Sequence, residues 1–289
     1  MATQESSSTA FIDTTTAAPY IDEKWSQHSL VARESALIWA ELVDRRYESD
    51  LNSGDTIHVN SVSNLAASNK IANTAVTYEN YTEDQTDISI DQHGYHAIAC
   101  ETIVDYQSYM AQLELYAPKQ GYALGLQVDD SVAGLPDDLD NSVGTLAVEL
   151  TDDNLLRARQ YLNDANAPME NRAIGISPAQ EAGFLKLDRF VNSDYSMIHG
   201  DSASDARDRA FVGTWMRMPI YVSTNIEGAN ATGHDNCMWQ EQAFALVMQT
   251  MPKTYRQFDI DYLTTKVVVE QLYGFREMRD DHAVWMKGA

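Results

Sequence analysis

Residues 60–86 constrain this chain more than any other stretch, because they cannot build a core yet lie between two segments that look paired. The stretch is polar and rich in Asn and Thr, with Val76 and Tyr78 as sparse apolar points. Before it, Thr56-Ile-His-Val59 alternates polar and apolar residues like a strand, and after it Asp87-Ile-Ser-Ile90 does the same. Two strands around a long polar tip read as a protruding hairpin. Ordering its backbone costs about 1–2 kcal/mol per residue, which burial must offset. With so little of its own to bury, the hairpin has to lean on something else.

Charge narrows the choice of partner. The 289 residues hold 43 acids and 20 bases, a formal net charge of -23. Residues 1–145 carry 23 of the acids and 6 of the bases, and between Arg46 and Lys119 the only Lys or Arg is Lys70. Such a surface repels phosphate backbones and anionic membranes at long range, which disfavours a general nucleic-acid binder. The acid-rich half is either strongly solvated or meets a cationic partner. No segment approaches the ~18 apolar residues of a membrane span. Residues 1–20 lack the basic and apolar regions of a signal peptide, so the chain reads as cytoplasmic when made. Cys100 and Cys237 make no metal motif or disulfide framework and read as buried free thiols.

Elsewhere the pattern is mixed. Residues 1–20 are a Ser-, Thr- and Ala-rich arm. Residues 25–43 place Trp25, Leu30, Val31, Ile38, Trp39 and Leu42 as on one face of a helix. After a bulge expected at Gly94, residues 95–100 continue extended. Residues 102–135 are helical, with Leu124, Val128 and Val132 as a core face and Pro118 either opening a second helix or kinking one long helix. Residues 143–150 read as extended. Thr151 caps a helix whose apolar face is Leu155, Ala158 and Leu162. Ser177-Pro-Ala-Gln180 opens another helix, with Gln180 as capping-box partner. Residues 219–222, 243–248 and 266–273 read as strands, and 282–286 as a short apolar close. The fold class is α+β.

The usual catalytic signatures are missing: no nucleophile elbow, phosphate-cradling loop, dinucleotide fingerprint or H-E-x-x-H pair. His93, His96, His199 and His234 are candidate ligands for a metal-dependent enzyme, although none has a recognised spacing. Asp138-x-Asp140-x-Ser142 with Glu149 is a partial calcium-loop pattern whose glycine is misplaced, so it reads as a solvated acidic loop. Asp201-Ser-Ala-Ser-Asp205 with Arg207 and Arg209 reads as a surface loop.

An arm, a helix, an extended hairpin, a long helix, a compact α/β unit and a terminal β segment follow the order of the tailed-phage major capsid proteins of Hong Kong 97 type. Specific strings resemble that family. Leu42-Val-Asp-Arg-Arg-Tyr-Glu48 with Gly54-Asp-Thr-Ile-His-Val59 is similar to the stretch leading into its extended loop, though Asn60 stands where Pro is common. Ile88-Ser-Ile-Asp-Gln-His-Gly-Tyr95 is similar to the returning strand. Residues 162–168 before Arg172-Ala-Ile-Gly-Ile-Ser-Pro178, then Phe190-Val-Asn192, Pro219-Ile-Tyr-Val-Ser-Thr-Asn225 and Val269-Glu-Gln-Leu-Tyr-Gly274, complete the set.

The resemblance implies an N-terminal arm and first helix at 1–46, an extended loop at 47–98, a peripheral domain with a spine helix at 99–140 and 251–289, and an axial domain at 141–250. It implies a structural protein with no catalytic residue, metal or cofactor, whose copies form hexamers and pentamers of an icosahedral shell around double-stranded DNA bound without specificity. A separate scaffolding protein, a portal and a decoration protein are the implied partners, and the virion capsid, after assembly in the host cytoplasm, is the implied location. Trp25, Gly54, Asp55, Lys70, Val76, Tyr78 and Asp87 are the expected inter-subunit contacts. Some relatives crosslink a loop lysine to a neighbour's asparagine; Lys70 sits in that loop, but no motif here supports the reaction. The alternatives are the metal-dependent enzyme above and an accessory virion protein of the decoration or tail type.

Overall fold

The computed structural model describes residues 34–50, 53–62, 65–76, 78, 83–107, 112–187 and 210–289. In chain order come β1 (Thr56–Val62), β2 (Glu83–Ser89), β3 (Gln92–Glu101), α1 (Thr102–Gln107), α2 (Gln112–Ala133), β4 (Ser142–Gly144), α3 (Asp152–Asp164), β5 (Arg172–Ile176) and α4 (Pro178–Phe184). There follow β6 (Phe211–Trp215), β7 (Met218–Val222), β8 (Gly228–Ala229), β9 (Gly233–Gln240), β10 (Phe244–Asp259), β11 (Thr264–Glu277) and β12 (Ala283–Gly288).

Among the described residues the strands form three sheets. There β1 and β2 pair with each other and with no other described strand, as an antiparallel ribbon running from Thr56↔Ser89 to Val62↔Glu83. β10, β11 and β3 form an antiparallel sheet on which α2 lies. A mixed sheet of order β4-β12-β9-β5-β7-β6, with β8 on β9, is covered by α3. There Leu155, Ala158 and Leu162 are buried against Ile174, Ile220, Met238 and Val284. The apolar spacing along α3 predicts that face, and Thr151 accepts the cap hydrogen bond from the Asn154 N–H as expected.

Four expectations meet a different outcome. Within 25–43 the described part, from residue 34, holds no helix beyond a 3-10 turn at Trp39–Glu41; residues 25–33 lie outside the described residues. Its apolar side chains do bury, but its backbone hydrogen bonds go to distant partners. The Asp129 carboxylate takes the Trp39 N–H at 2.7 Å, and the Leu42 carbonyl takes the Trp239 indole N–H at 3.2 Å. No bulge occurs at Gly94, where the β3–β11 register is unbroken. A Cβ at Gly94 would meet the end of the Gln127 side chain from α2, so the glycine leaves that amide its present place against the sheet. Residues 143–150 are strand only to Gly144, after which the chain turns, with Ala147 at φ 62°.

Of the two forms left open around Pro118, the structure has the proline inside α2, which runs continuously past it. The fourth different outcome concerns α4. Ser177 caps α4, but Gln180 does not return the capping-box bond: its Oε1 accepts from the Leu150 and Ala289 N–H groups at 3.0 and 3.3 Å. Finally, β12 is inserted between β4 and β9 of the large sheet. Ala283, Val284 and Met286 are buried there, which an exposed edge strand would not achieve.

Candidate assembly surface

Among the described residues the ribbon is held at its base. Ile88 packs with Ala245 and Val247, and Ile57, Val59 and Tyr47 close over them. The Ile90 N–H donates to the Asp55 carbonyl at 2.8 Å, and Gln249 Nε2 donates to the Gly54 carbonyl at 3.0 Å. Gly54 has φ +125°, a conformation few side-chain-bearing residues adopt, which fits the sharp turn into β1. Farther out, His58 Nδ1 and Asp87 Oδ1 face each other across the ribbon at 2.6 Å, and Gln85 Nε2 donates to the same oxygen at 2.7 Å. The His58 hydrogen bond first, then Gln85, holds the Asp87 carboxyl below its ordinary value.

Beyond that point the described apolar side chains are exposed. Val62 is 76% exposed, Ile71 72% and Tyr78 91%, with Leu65 and Val76 similarly open; Lys70 is exposed among them. Gly54, Asp55, Lys70, Val76, Tyr78 and Asp87 thus lie on one projection, whereas Trp25 lies outside the described residues. A second apolar surface escapes the sequence reading. At the far end of the β10–β11 pair, Met251, Tyr255, Phe258, Ile260, Tyr262 and Leu263 are exposed, beside Ile103 and Tyr106 of α1. The Thr102 N–H and hydroxyl both donate to the Leu263 carbonyl, at 3.0 and 2.7 Å, tying α1 to that tip. The visible signal is Phe258-Asp-Ile-Asp-Tyr-Leu263, too apolar for a solvated turn. Patches of this kind on a soluble chain mark contact surfaces.

The candidate metal ligands are not brought together. His93 pairs with Glu270 at 3.2 Å, His96 meets Gln120 Nε2 at 3.3 Å on the opposite face of β3, and His234 meets Asn230 in the other sheet at 3.0 Å. His199 lies outside the described residues, as does the 201–209 loop. Among the described residues no three His, Cys, Asp or Glu side chains gather as a metal would require. Glu149 pairs with Lys186, and the Asp140 N–H is tied to Asp280 at 2.9 Å. Cys237 is buried, as expected, but Cys100 is only half-buried on β3.

Comparison with solved structures settles the architecture. A chain of Mycobacterium phage Che8 superposes with a TM-score of 0.76 at 20% identity, covering 93% of this chain and 97% of that one. The capsid structure of the cyanophage P-SCSP1u gives 0.72 at 16%, covering 95% and 94%. The mature capsid of bacteriophage PhiM1 gives 0.67 at 14%, covering 92% and 90%. The fold is that of phage capsid proteins. No protein-family model matches the sequence, and no curated protein matches it.

In this capsid fold one buried acid anchors the segment that leads into the ribbon. Asp129 on α2 is fully buried; its Oδ1 takes the Trp39 and Ala40 N–H groups and its Oδ2 takes Asn225 Nδ2 at 2.8 Å. Burial pushes its carboxyl up to about 6 despite those donors. Glu277 is pushed up to about 7 by burial and then by Asp280 and Asp138. Both groups bind protons more tightly folded than unfolded. The stability they contribute is present at low pH and is lost as pH rises through about 6 and about 7. The urea midpoint of the subunit is therefore expected to fall between about pH 5 and about pH 8. Asp129 accounts for on the order of 1–1.5 kcal/mol of the change, and Asp129→Asn flattens the curve. An unchanged slope in that variant would show that Asp129 does not titrate in this range.

Proposed function

We propose that this chain is the major capsid protein of a tailed bacteriophage of Hong Kong 97 type, a structural and non-catalytic subunit. Its copies form hexamers and pentamers that close an icosahedral shell around double-stranded DNA. The observation that carries this reading is the ribbon, which pairs with no other described strand and is lined with exposed apolar side chains, on a fold that solved capsids share over more than nine-tenths of this chain. Neighbouring copies supply what the ribbon lacks, through Gly54, Asp55, Lys70, Val76, Tyr78 and Asp87, and Trp25 extends the contact from the arm. The spine helix is α2, the axial domain is the α3-covered sheet, and the surplus of acids lets the shell hold packed DNA without gluing it down. A scaffolding protein, a portal and a decoration protein complete the particle, which assembles in the host cytoplasm.

Co-expression with a scaffolding protein, followed by sedimentation and electron microscopy, tests the proposal. Closed shells of this chain are expected. A protein that only coats shells made by another subunit would be an accessory component, and stoichiometric zinc or iron in purified protein would favour an enzyme. Ionic strength gives a further check. At net -23 per subunit, unscreened repulsion opposes encounter, and the screening length shrinks from about 30 Å at 0.01 M salt to about 10 Å at 0.1 M. Light scattering should show assembly several-fold faster at about 0.1 M than at about 0.01 M salt. A rate independent of salt would remove the charge account.

A further inference from the structure

In a chain with twice as many acids as bases, three arginines converge on one cleft, and none of them is ion-paired to the Glu41, Glu170 or Glu241 that also line it. Arg159 comes from α3, Arg172 from the start of β5, and Arg217 from the tight turn between β6 and β7. Two adjoining hollows share Arg172 and Arg217. Arg172 is only 4% exposed. Its Nε, Nη1 and Nη2 donate to the Pro168 carbonyl, Asn163 Oδ1 and the Ala167 carbonyl at 2.8, 2.8 and 2.7 Å, all neutral acceptors. These bonds fix the guanidinium and leave its charge uncompensated, and burial followed by the Arg159 charge lowers its pKa. Among the described residues none of the three arginines makes an ion pair. Glu41 and Glu241 line the first hollow, but Glu241 accepts from Asn171 instead. Beside the arginines Met169 is 71% exposed and Met216 is also open, and Arg with Met is the composition of interface centres rather than of ordinary surface.

We infer that this arginine-lined cleft is an inter-subunit socket that takes carboxylate side chains of a second copy of this chain. The inference rests on the proposed shell function and deepens it by naming a contact away from the ribbon. Planar guanidinium forks match carboxylates in paired hydrogen bonds. The second copy is the partner with carboxylates to spare, since its residues 47–118 hold one lysine and no arginine. A nucleic-acid strand fits less well, because three arginines on a chain of net charge -23 make no long positive track for a backbone. The buried charge of Arg172 is screened by salt less than the surface repulsion is, so the socket keeps acting at salt concentrations that speed encounter.

The experiment is shell assembly of Arg159→Glu/Arg217→Glu against Arg159→Lys/Arg217→Lys and the unaltered chain, with thermal melting of each monomer as the folding control. Arg172 is left intact because it holds the 163–168 turn. The expected result is a Glu variant that melts like the unaltered chain but assembles at least about tenfold less well, and a Lys variant that retains most assembly. A photo-crosslinker in place of Met169 is expected to capture an acid-containing peptide of another copy within assembled shells. Failure of the unaltered chain to form shells would defeat the functional reading itself. Shells that form equally well in the Glu variant, or a crosslinker that captures only DNA or nothing in intact shells, would overturn the socket alone.

Discussion

Replacing residues 60–85 by an Asn-Gly turn is expected to leave a folded subunit that no longer forms shells. The replacement joins Val59 to Thr86, partners in the ribbon register, through a two-residue loop whose twist suits a hairpin. It keeps Ile57, Val59 and Ile88, the residues that pack on Ala245 and Val247, and removes only the stretch whose apolar groups face solvent. Shortening the loop also lowers its closure entropy. The melting temperature should therefore move by no more than about 2–4 °C, equivalent to about 1 kcal/mol in a chain of this size. Assembly loses far more. Val62, Leu65, Ile71, Val76 and Tyr78 are each worth about 1.5–3 kcal/mol if fully buried. Even a third of that total, about 3 kcal/mol, changes one association constant more than about a hundredfold, and every subunit repeats the loss. Calorimetry of the monomer and sedimentation of assembly mixtures read the two effects separately. Loss of the cooperative melt would mean that the projection belongs to the core of the lone subunit.

What the sequence discloses follows from how local the deciding forces are. β1, β2, the core face of α2 and the cap and apolar face of α3 are legible because period and capping act within a few residues, and each is found where its pattern predicts. The segment 34–43 is misread because its helix-like spacing competes with Asp129 and Trp239, some ninety and two hundred positions away, which take its backbone groups into tertiary bonds. Gly94 is misread for a similar reason: the groups beside it are the side chains of Gln127 and Gln271 on other elements. β12 carries a strand pattern, but which sheet receives it depends on β4 and β9. The candidate surface divides likewise. The ribbon announces itself by what it lacks, while the apolar tip of β10–β11 and the arginine cleft are assembled from distant segments that each look ordinary alone.

Trp239→Ala is expected to be the most damaging single substitution in the core, and its reason lies in the same long-range ties. The Trp239 ring stacks on Trp39 with centroids 4.4 Å apart and planes 16° from parallel, and its indole N–H donates to the Leu42 carbonyl. Gly175 on the neighbouring strand has no room for a Cβ of its own, since one would sit 3.0 Å from the Trp239 ring. Truncation leaves a cavity between β9, β5 and the 38–43 segment and strips the Leu42 carbonyl of its donor. Large-to-small changes at buried aromatics cost about 3–5 kcal/mol, and an orphaned buried acceptor adds about 1–3 kcal/mol. Against a typical domain stability of about 5–15 kcal/mol, the subunit is left marginal, with a melting temperature at least about 10 °C lower. Trp239→Phe keeps most of the stack and loses only the N–H, so it should cost about a third as much. Because 38–43 leads directly into the ribbon, the Ala variant should also assemble poorly at temperatures where it is still folded. If Trp239→Ala melts within a few degrees of the unaltered protein, the stacked pair does not hold that segment, and the ribbon must owe its direction to its own base contacts.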